Sequence, residues 1–252
     1  MIFYISSYIF TNIMVLNKFR YIADRIVSSQ VKLLVRWGVH PNFLSIMGVI
    51  LGIFAAVTFA LPEFFINSHI WSWLPPLLFF ISGYLDLIDG GVARLSGKSS
   101  EFGGFLDSTL DRIADATAII GLMIGNMLWN PLWFGGVQLN NILGYIAMTI
   151  TILISYTRSR AENSGVIMKG VGLMERGERF FALLGGFIIE AILRAFVLEY
   201  NFFFFSIFFC IYLALCIYTV IARVVHSYKW LTGKVSEKYL KKHNITLEEY
   251  KK

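Results

Sequence analysis

Stretches of about twenty mostly apolar residues alternate along the chain with short polar segments. They cover about 43–61, 74–95, 107–128, 142–158, 180–198 and 202–225. Each comes close to the ~20 residues that cross a bilayer's hydrocarbon core. A backbone in lipid must satisfy its own hydrogen bonds, so each stretch is expected to be a helix. The pattern therefore predicts an all-α integral membrane fold with six transmembrane helices in one domain, 41–228. Ahead of them, Lys18, Arg20, Arg25, Lys32 and Arg36 interleave with Phe19, Ile22, Ile26, Val31 and Leu34. That alternation predicts an N-terminal amphipathic juxtamembrane helix within 14–40, lying on the membrane surface. Pro41 ends it, because the residue before a proline is pushed out of the helical region. Residues 1–13 are apolar but too short to span, and they lack the basic start and small-residue cleavage site of a signal peptide. They read as an extension upstream of a start at Met14, or as an interfacial segment. The tail 229–252 is polar and lysine-rich, and reads as a solvated or headgroup-contacting helix on the cytoplasmic side.

Charge placement orients the spans. Nearly all Lys and Arg precede span one, follow span six, or lie between spans two and three and spans four and five. The segments 62–73 and 129–141 hold none, and 194–201 holds only Arg194. Trp71, Trp73, Trp129, Trp133 and Tyr200 mark the opposite interface as an aromatic belt. Both termini are therefore expected in the cytoplasm, in a cell-membrane protein. A composition of 57% hydrophobic and 15% charged residues agrees, since soluble domains carry roughly a quarter charged. The net charge of +6 points to anionic headgroups and phosphate substrates, because nothing resembles a folded nucleic-acid module. Cys210 and Cys216 lie about 9 Å apart along a helix, too far for a disulfide. Gly48-x3-Gly52 and Gly121-x3-Gly125 permit close helix contact. The phenylalanine run 202–205 reads as lipid-facing filler.

Against this apolar background, residues 84–116 place Asp86, Asp89, Asp107 and Asp111 in or beside the second and third spans. Intramembrane carboxylates are costly and by default mark a functional site. Asp86 and Asp89 are three apart and Asp107 and Asp111 four apart, so each pair shares a helix face. Gly90, Gly97, Gly103 and Gly104 let the backbone turn and a ligand approach. Two facing helices offering two carboxylates each can hold a pair of hard divalent cations, Mg²⁺ or Mn²⁺. The alternative is a set of aspartates paired with Arg94 and Arg112, but two cations cannot neutralise four carboxylates. Asp115 reads as a partner for Arg112.

The run Asp86-x2-Asp89-Gly90-x2-Ala93-Arg94-x8-Gly103-x3-Asp107-x3-Asp111 resembles the complete signature of the CDP-alcohol phosphotransferases. The resemblance extends over most of residues 36–228. It implies that an acceptor hydroxyl attacks the β-phosphorus of a CDP-lipid and that CMP leaves. It also implies two Mg²⁺ (or Mn²⁺) ions, with Asp86, Asp89, Asp107 and Asp111 as metal ligands. Asp111 would in addition be the catalytic base. By the same resemblance Gly90, Ala93, Arg94, Ser100 and Asp86 contact the CDP-lipid. Asn42 and Ser45 resemble the family's Pro-Asn-x2-Thr element near the nucleotide, although Ser45 could equally cap a helix. The family forms homodimers, so a dimer is expected.

The acceptor half rests on SYTRSRAENSGV (155–166) and GVGLMERGERF (170–180). Arg158, Arg160, Arg179 and Arg223 gather at the cytoplasmic ends of their spans. They either obey the positive-inside rule or bind a phosphate, to which guanidinium is well suited. The pieces SYxxxRAExxG and ERxER look like the inositol-phosphate branch, with a phosphorylated polyol as acceptor. Arg158 and Gly177 depart from the bacterial pattern of Lys and Pro, which leans the chain towards archaeol-using members. Glycerol 3-phosphate is the runner-up acceptor, and serine fits least because it has no phosphate to meet the arginines. A transporter or scaffold with intramembrane acids is the competing class, and metal-dependent CMP release separates it.

Overall fold

The structure, a computed structural model, describes residues 27–61, 71–128, 133–134, 137–168, 170–196 and 203–235. Helix α1 occupies 27–36, followed by α2 (Pro41–Ala60), a 3-10 turn (Trp71–Trp73), α3 (Leu74–Leu95) and α4 (Glu101–Ile124). After a two-residue antiparallel hairpin, β1 (Trp133–Phe134) with β2 (Val137–Gln138), come α5 (Leu139–Glu162), α6 (Arg176–Phe196) and α7 (Phe203–Leu231). Apart from that hairpin, the regular elements among the described residues are helices, as the apolar pattern requires. Among them, α2, α3, α5 and α7 are long and apolar enough to cross a membrane. Helices α4 and α6, of 24 and 21 residues, match them in length but carry more charge. The segment 1–26 and the tail beyond 235 lie outside the described residues, including the expected extension and the first half of the amphipathic helix.

Element ends follow local rules. Pro41 takes the first helical position of α2, where its missing N–H has no partner to lose. Helix α3 stops in a Schellman turn: Lys98 N bonds Ala93 O at 3.0 Å and Gly97 N bonds Arg94 O at 3.4 Å. Gly97 accepts the left-handed φ of +67° this turn demands. Ser100 then caps α4, its Oγ accepting the Gly103 N–H at 3.0 Å. Helix α4 therefore begins at Glu101, a turn and a half ahead of the apolar stretch, because the cap decides where a helix can start. At the other end of the chain, α7 continues to Leu231, so the expected tail begins inside it.

Chain contacts divide the molecule into two compact units, Met1–Ile50 with Ile81–Asp111, and Leu51–Phe80 with Arg112–Lys252. In the first, Val31, Leu44, Ile88 and Val92 form the core, with Val27, Leu34 and Val35 of α1 against it. The opposite side of α1 exposes Lys32 and Arg36. Ser82 Oγ donates to Gly48 O at 2.7 Å, and a Cβ on Gly48 would lie 3.2 Å from Ser82 O. Gly48 thus serves close packing within this unit.

The second unit buries Phe59, Leu122, Ile154, Phe187, Phe205 and Phe209 in one core. Phe205 is fully buried and stacks on Phe187 with ring centroids 5.2 Å apart. It is a core residue, which corrects the reading of 202–205 as lipid-facing filler. A phenylalanine run has no periodicity to show which ring turns inward. A Cβ on Gly121 would come 2.3 Å from Ala56 O, so this glycine also serves close helix packing. Cys210 and Cys216 are free thiols.

Candidate active site

The α3–α4 hairpin carries the acidic residues. Carboxylate oxygens of Asp86 and Asp89 on α3 and Asp107 on α4 all lie within 4.8 Å of one another. Asp89 is only 5% exposed, while Asp86 and Asp107 are half-buried. Three carboxylates so close repel one another unless a cation or protons intervene. An all-oxygen donor set of this kind suits a hard divalent ion. Asp111, one turn beyond Asp107, is 8% exposed and stands outside that trio. Of the four aspartates singled out from sequence, Asp86, Asp89 and Asp107 lie together, and Asp111 stands on the same helix as Asp107.

Ser45 on α2 donates its hydroxyl to Asp89 Oδ2 at 2.5 Å and lies 3.3 Å from Pro41 O. It sits inside α2 and orients a carboxylate, so it is not a helix cap. The cap is Ser100. A Cβ on Gly103 would stand 3.1 Å from Ser100 Oγ and 3.7 Å from Asn42 Oδ1, so Asn42, Ser100 and Gly103 share one corner. A Cβ on Gly90 would stand 3.4 Å from Arg94 Nη1, so the exposed guanidinium lies beside that glycine. The Ala93 carbonyl is engaged in the turn that ends α3. All residues read as CDP-lipid contacts therefore belong to the first unit.

The four acceptor arginines belong to the second unit, in two situations. Arg158 and Arg160 are exposed at the end of α5. Arg158 pairs with Glu162 Oε1 at 3.0 Å and with Glu175 Oε2 at 3.5 Å. Arg179 is 3% exposed, with Nη2 2.8 Å from Asp115 Oδ2. The structure thus gives Asp115 a partner on α6, where the sequence suggested its neighbour Arg112. Sequence spacing shows neighbours on one helix but not across helices. Arg223, 1% exposed, donates to Val171 O at 3.1 Å and to Ile154 O at 2.5 Å. Sequence reading passed over Glu162, Glu175, Thr219 and His226, which bond around these arginines. The signal was present for the last two, since both lie at helical spacing from Arg223 in an otherwise apolar stretch.

Fold and site define a helical protein of membrane-crossing character with a carboxylate cluster on a helix hairpin. The chain belongs to the CDP-alcohol phosphatidyltransferase family, enzymes that transfer phosphatidyl groups, and the family pattern matches residues 38–235. It is 32% identical over 161 residues to the archaetidylinositol phosphate synthase of Pyrococcus horikoshii, spanning 64% of this chain and 76% of that one. It is also similar to the crystal structure of Mycobacterium tuberculosis phosphatidylinositol phosphate synthase with CDP-DAG bound. There the TM-score is 0.62 at 25% identity, over 81% of this chain and 94% of that one. The same mycobacterial enzyme in complex with manganese and citrate shares the fold at TM-score 0.61 and 24% identity, over 80% of this chain and 88% of that one.

Proposed function

We propose that this protein is a membrane phospholipid synthase that transfers the phosphatidyl-type group of CDP-archaeol or CDP-diacylglycerol to a hydroxyl of inositol phosphate. The observation that carries the reading is the trio Asp86, Asp89 and Asp107 within 4.8 Å on a hairpin bearing the complete family signature. The carboxylates fit two Mg²⁺ or Mn²⁺ ions, held by Asp86, Asp89, Asp107 and Asp111, which when bound neutralise the pyrophosphate and stabilise attacking and leaving oxygens. Ser45 fixes the Asp89 carboxylate. Arg94, beside Gly90, holds a pyrophosphate oxygen, and Asn42, Ala93 and Ser100 line the nucleotide's approach. The acceptor oxygen bonds to the β-phosphorus, the bond to CMP breaks with its electron pair leaving on CMP, and Asp111 takes the hydroxyl proton.

In this reading Arg158, Arg160, Arg179 and Arg223 receive the acceptor's phosphate. A phosphomonoester carries close to two negative charges and needs at least two fixed cations. Arg158 and Arg160 meet it at the surface, while Arg179 and Arg223 support from within. The buried Nε of Arg179 makes no hydrogen bond with the described residues. All long helices, α4 and α6 included, cross the membrane in a six-span arrangement with the catalytic face and both termini in the cytoplasm. The enzyme works as a homodimer. An acceptor panel with purified protein, Mg²⁺ and either CDP-archaeol or CDP-diacylglycerol tests the assignment. CMP release is expected with inositol phosphate and not with free inositol or serine. Preference for glycerol 3-phosphate would move the protein to the glycerophosphate branch.

A further inference from the structure

One face of α7 is polar where a membrane helix would ordinarily be apolar. Thr219, Arg223 and His226 are 0%, 1% and 1% exposed, and Trp230 continues the stripe at the same helical spacing. Each turns to the connection between α5 and α6, of which residues 163–168 and 170–175 are described. Thr219 Oγ1 accepts the Leu173 and Met174 N–H groups at 3.2 and 3.1 Å. Gly172 lies against the same threonine at a φ of +104°, where a Cβ would come 2.4 Å from Thr219 Cγ2, so only glycine fits. Arg223 donates to Val171 O at 3.1 Å. His226 Nε2 lies 3.0 Å from Ile167 O, a bond it makes in the tautomer with the proton on Nε2. Trp230 packs against the cluster of Ala161, Val166, Met168 and Val171.

The connection is therefore held along its backbone rather than by apolar packing alone. Immediately beyond its ends stand Arg158 and Arg160 on α5 and Arg179 on α6. Its last residue, Glu175, reaches Arg158 at 3.5 Å. Buried polar side chains that satisfy one another specify a single backbone geometry, where apolar filling would tolerate several. We propose that the α7 stripe is a clasp that sets the α5–α6 connection, and that Thr219 and His226 are positioning residues for recognition of the phosphomonoester acceptor. This rests on the acceptor reading given above. Neither residue touches the acceptor, and each acts through the arginines at the ends of the connection.

The test uses the full-length enzyme with Thr219→Val, Thr219→Ser, His226→Leu and His226→Gln, and follows kcat, both KM values and amide hydrogen exchange. Losing the Thr219 or His226 bond is expected to raise the acceptor KM roughly three- to tenfold, with the KM for CDP-lipid and kcat little changed. Exchange at Leu173 and Met174 should accelerate in Thr219→Val. Thr219→Ser and His226→Gln, which keep the bonding atoms, should restore both readouts. The proposal is overturned if the acceptor KM is unmoved. It is also overturned if kcat and both KM values shift together with a lower Tm that the conservative variants do not rescue. A wild-type enzyme that uses no phosphomonoester overturns the acceptor reading itself, and this proposal with it. That case is recognised before any variant is made.

Discussion

Ser45→Ala probes the acidic centre more sharply than removing an aspartate, because it leaves every carboxylate in place. In the structure the Ser45 hydroxyl donates to Asp89 Oδ2 at 2.5 Å, and Asp89 is 5% exposed, so water cannot readily replace the lost donor. A hydrogen bond to a charged group contributes about 1.5–3 kcal/mol. Without it, Asp89 faces Asp86 and Asp107, all within 4.8 Å, with less to hold its charge and orientation. At about 1.4 kcal/mol per factor of ten, the expected loss is roughly ten- to a hundredfold, the range usual for a residue that orients a metal ligand. The loss should fall on the metal requirement: CMP release, followed against free Mg²⁺ at saturating CDP-lipid, should need correspondingly more metal. High Mg²⁺ should recover part of kcat. Ser45→Thr keeps the hydroxyl and should stay near wild type. An unchanged Mg²⁺ response in the alanine variant would refute the reasoning, and Ser45 would then be only a packing residue of α2.

Three further outcomes are expected. Asp86→Asn, Asp89→Asn and Asp107→Asn should each abolish CMP release while the protein stays folded, as EDTA should in the wild type, reversibly on adding Mg²⁺ or Mn²⁺; substantial turnover in excess chelator would remove metal from the mechanism. Asp111→Asn should lower kcat severely while CDP-lipid binding largely survives, and near-normal turnover would make it a spectator. Arg158→Ala and Arg160→Ala should weaken use of inositol phosphate about ten- to a hundredfold in kcat/KM without altering CDP-lipid binding. Arg179→Ala should in addition lower stability, because it removes a buried guanidinium and its ion pair with Asp115; equal effects on both substrates would return these residues to topology markers.

How much was legible beforehand differs between the two halves of the site. Asp86 and Asp89 sit on one helix, as do Asp107 and Asp111, so period alone placed each pair on one face. The glycines between them announced the turn between α3 and α4, whereas Ser100 was read only as a CDP-lipid contact and its role as the cap of α4 came from the structure. The signature needs no distant residue to be read, and the apolar stretches likewise declared the helices. Local rules failed where a cap overruled hydropathy, as at Glu101, and where an apolar run such as 202–205 concealed which ring enters the core.

Sequence by itself determined the chemistry: the carboxylates, their spacing, the helices that carry them and the family they belong to. Each of those follows from neighbours within one or two turns, which covalent geometry brings together. Only the tertiary structure decided which groups satisfy one another across helices. It alone shows that Ser45 serves Asp89, that Asp115 meets Arg179 of another helix, and that Arg223 gives its Nε and an Nη1 donor to the carbonyls of Val171 and Ile154. Partners 44, 64, 52 and 69 residues apart leave no periodic trace in the chain. Their pairing is dictated by burial, since a polar group taken out of water must find whatever complementary atom the packing of distant helices puts in reach.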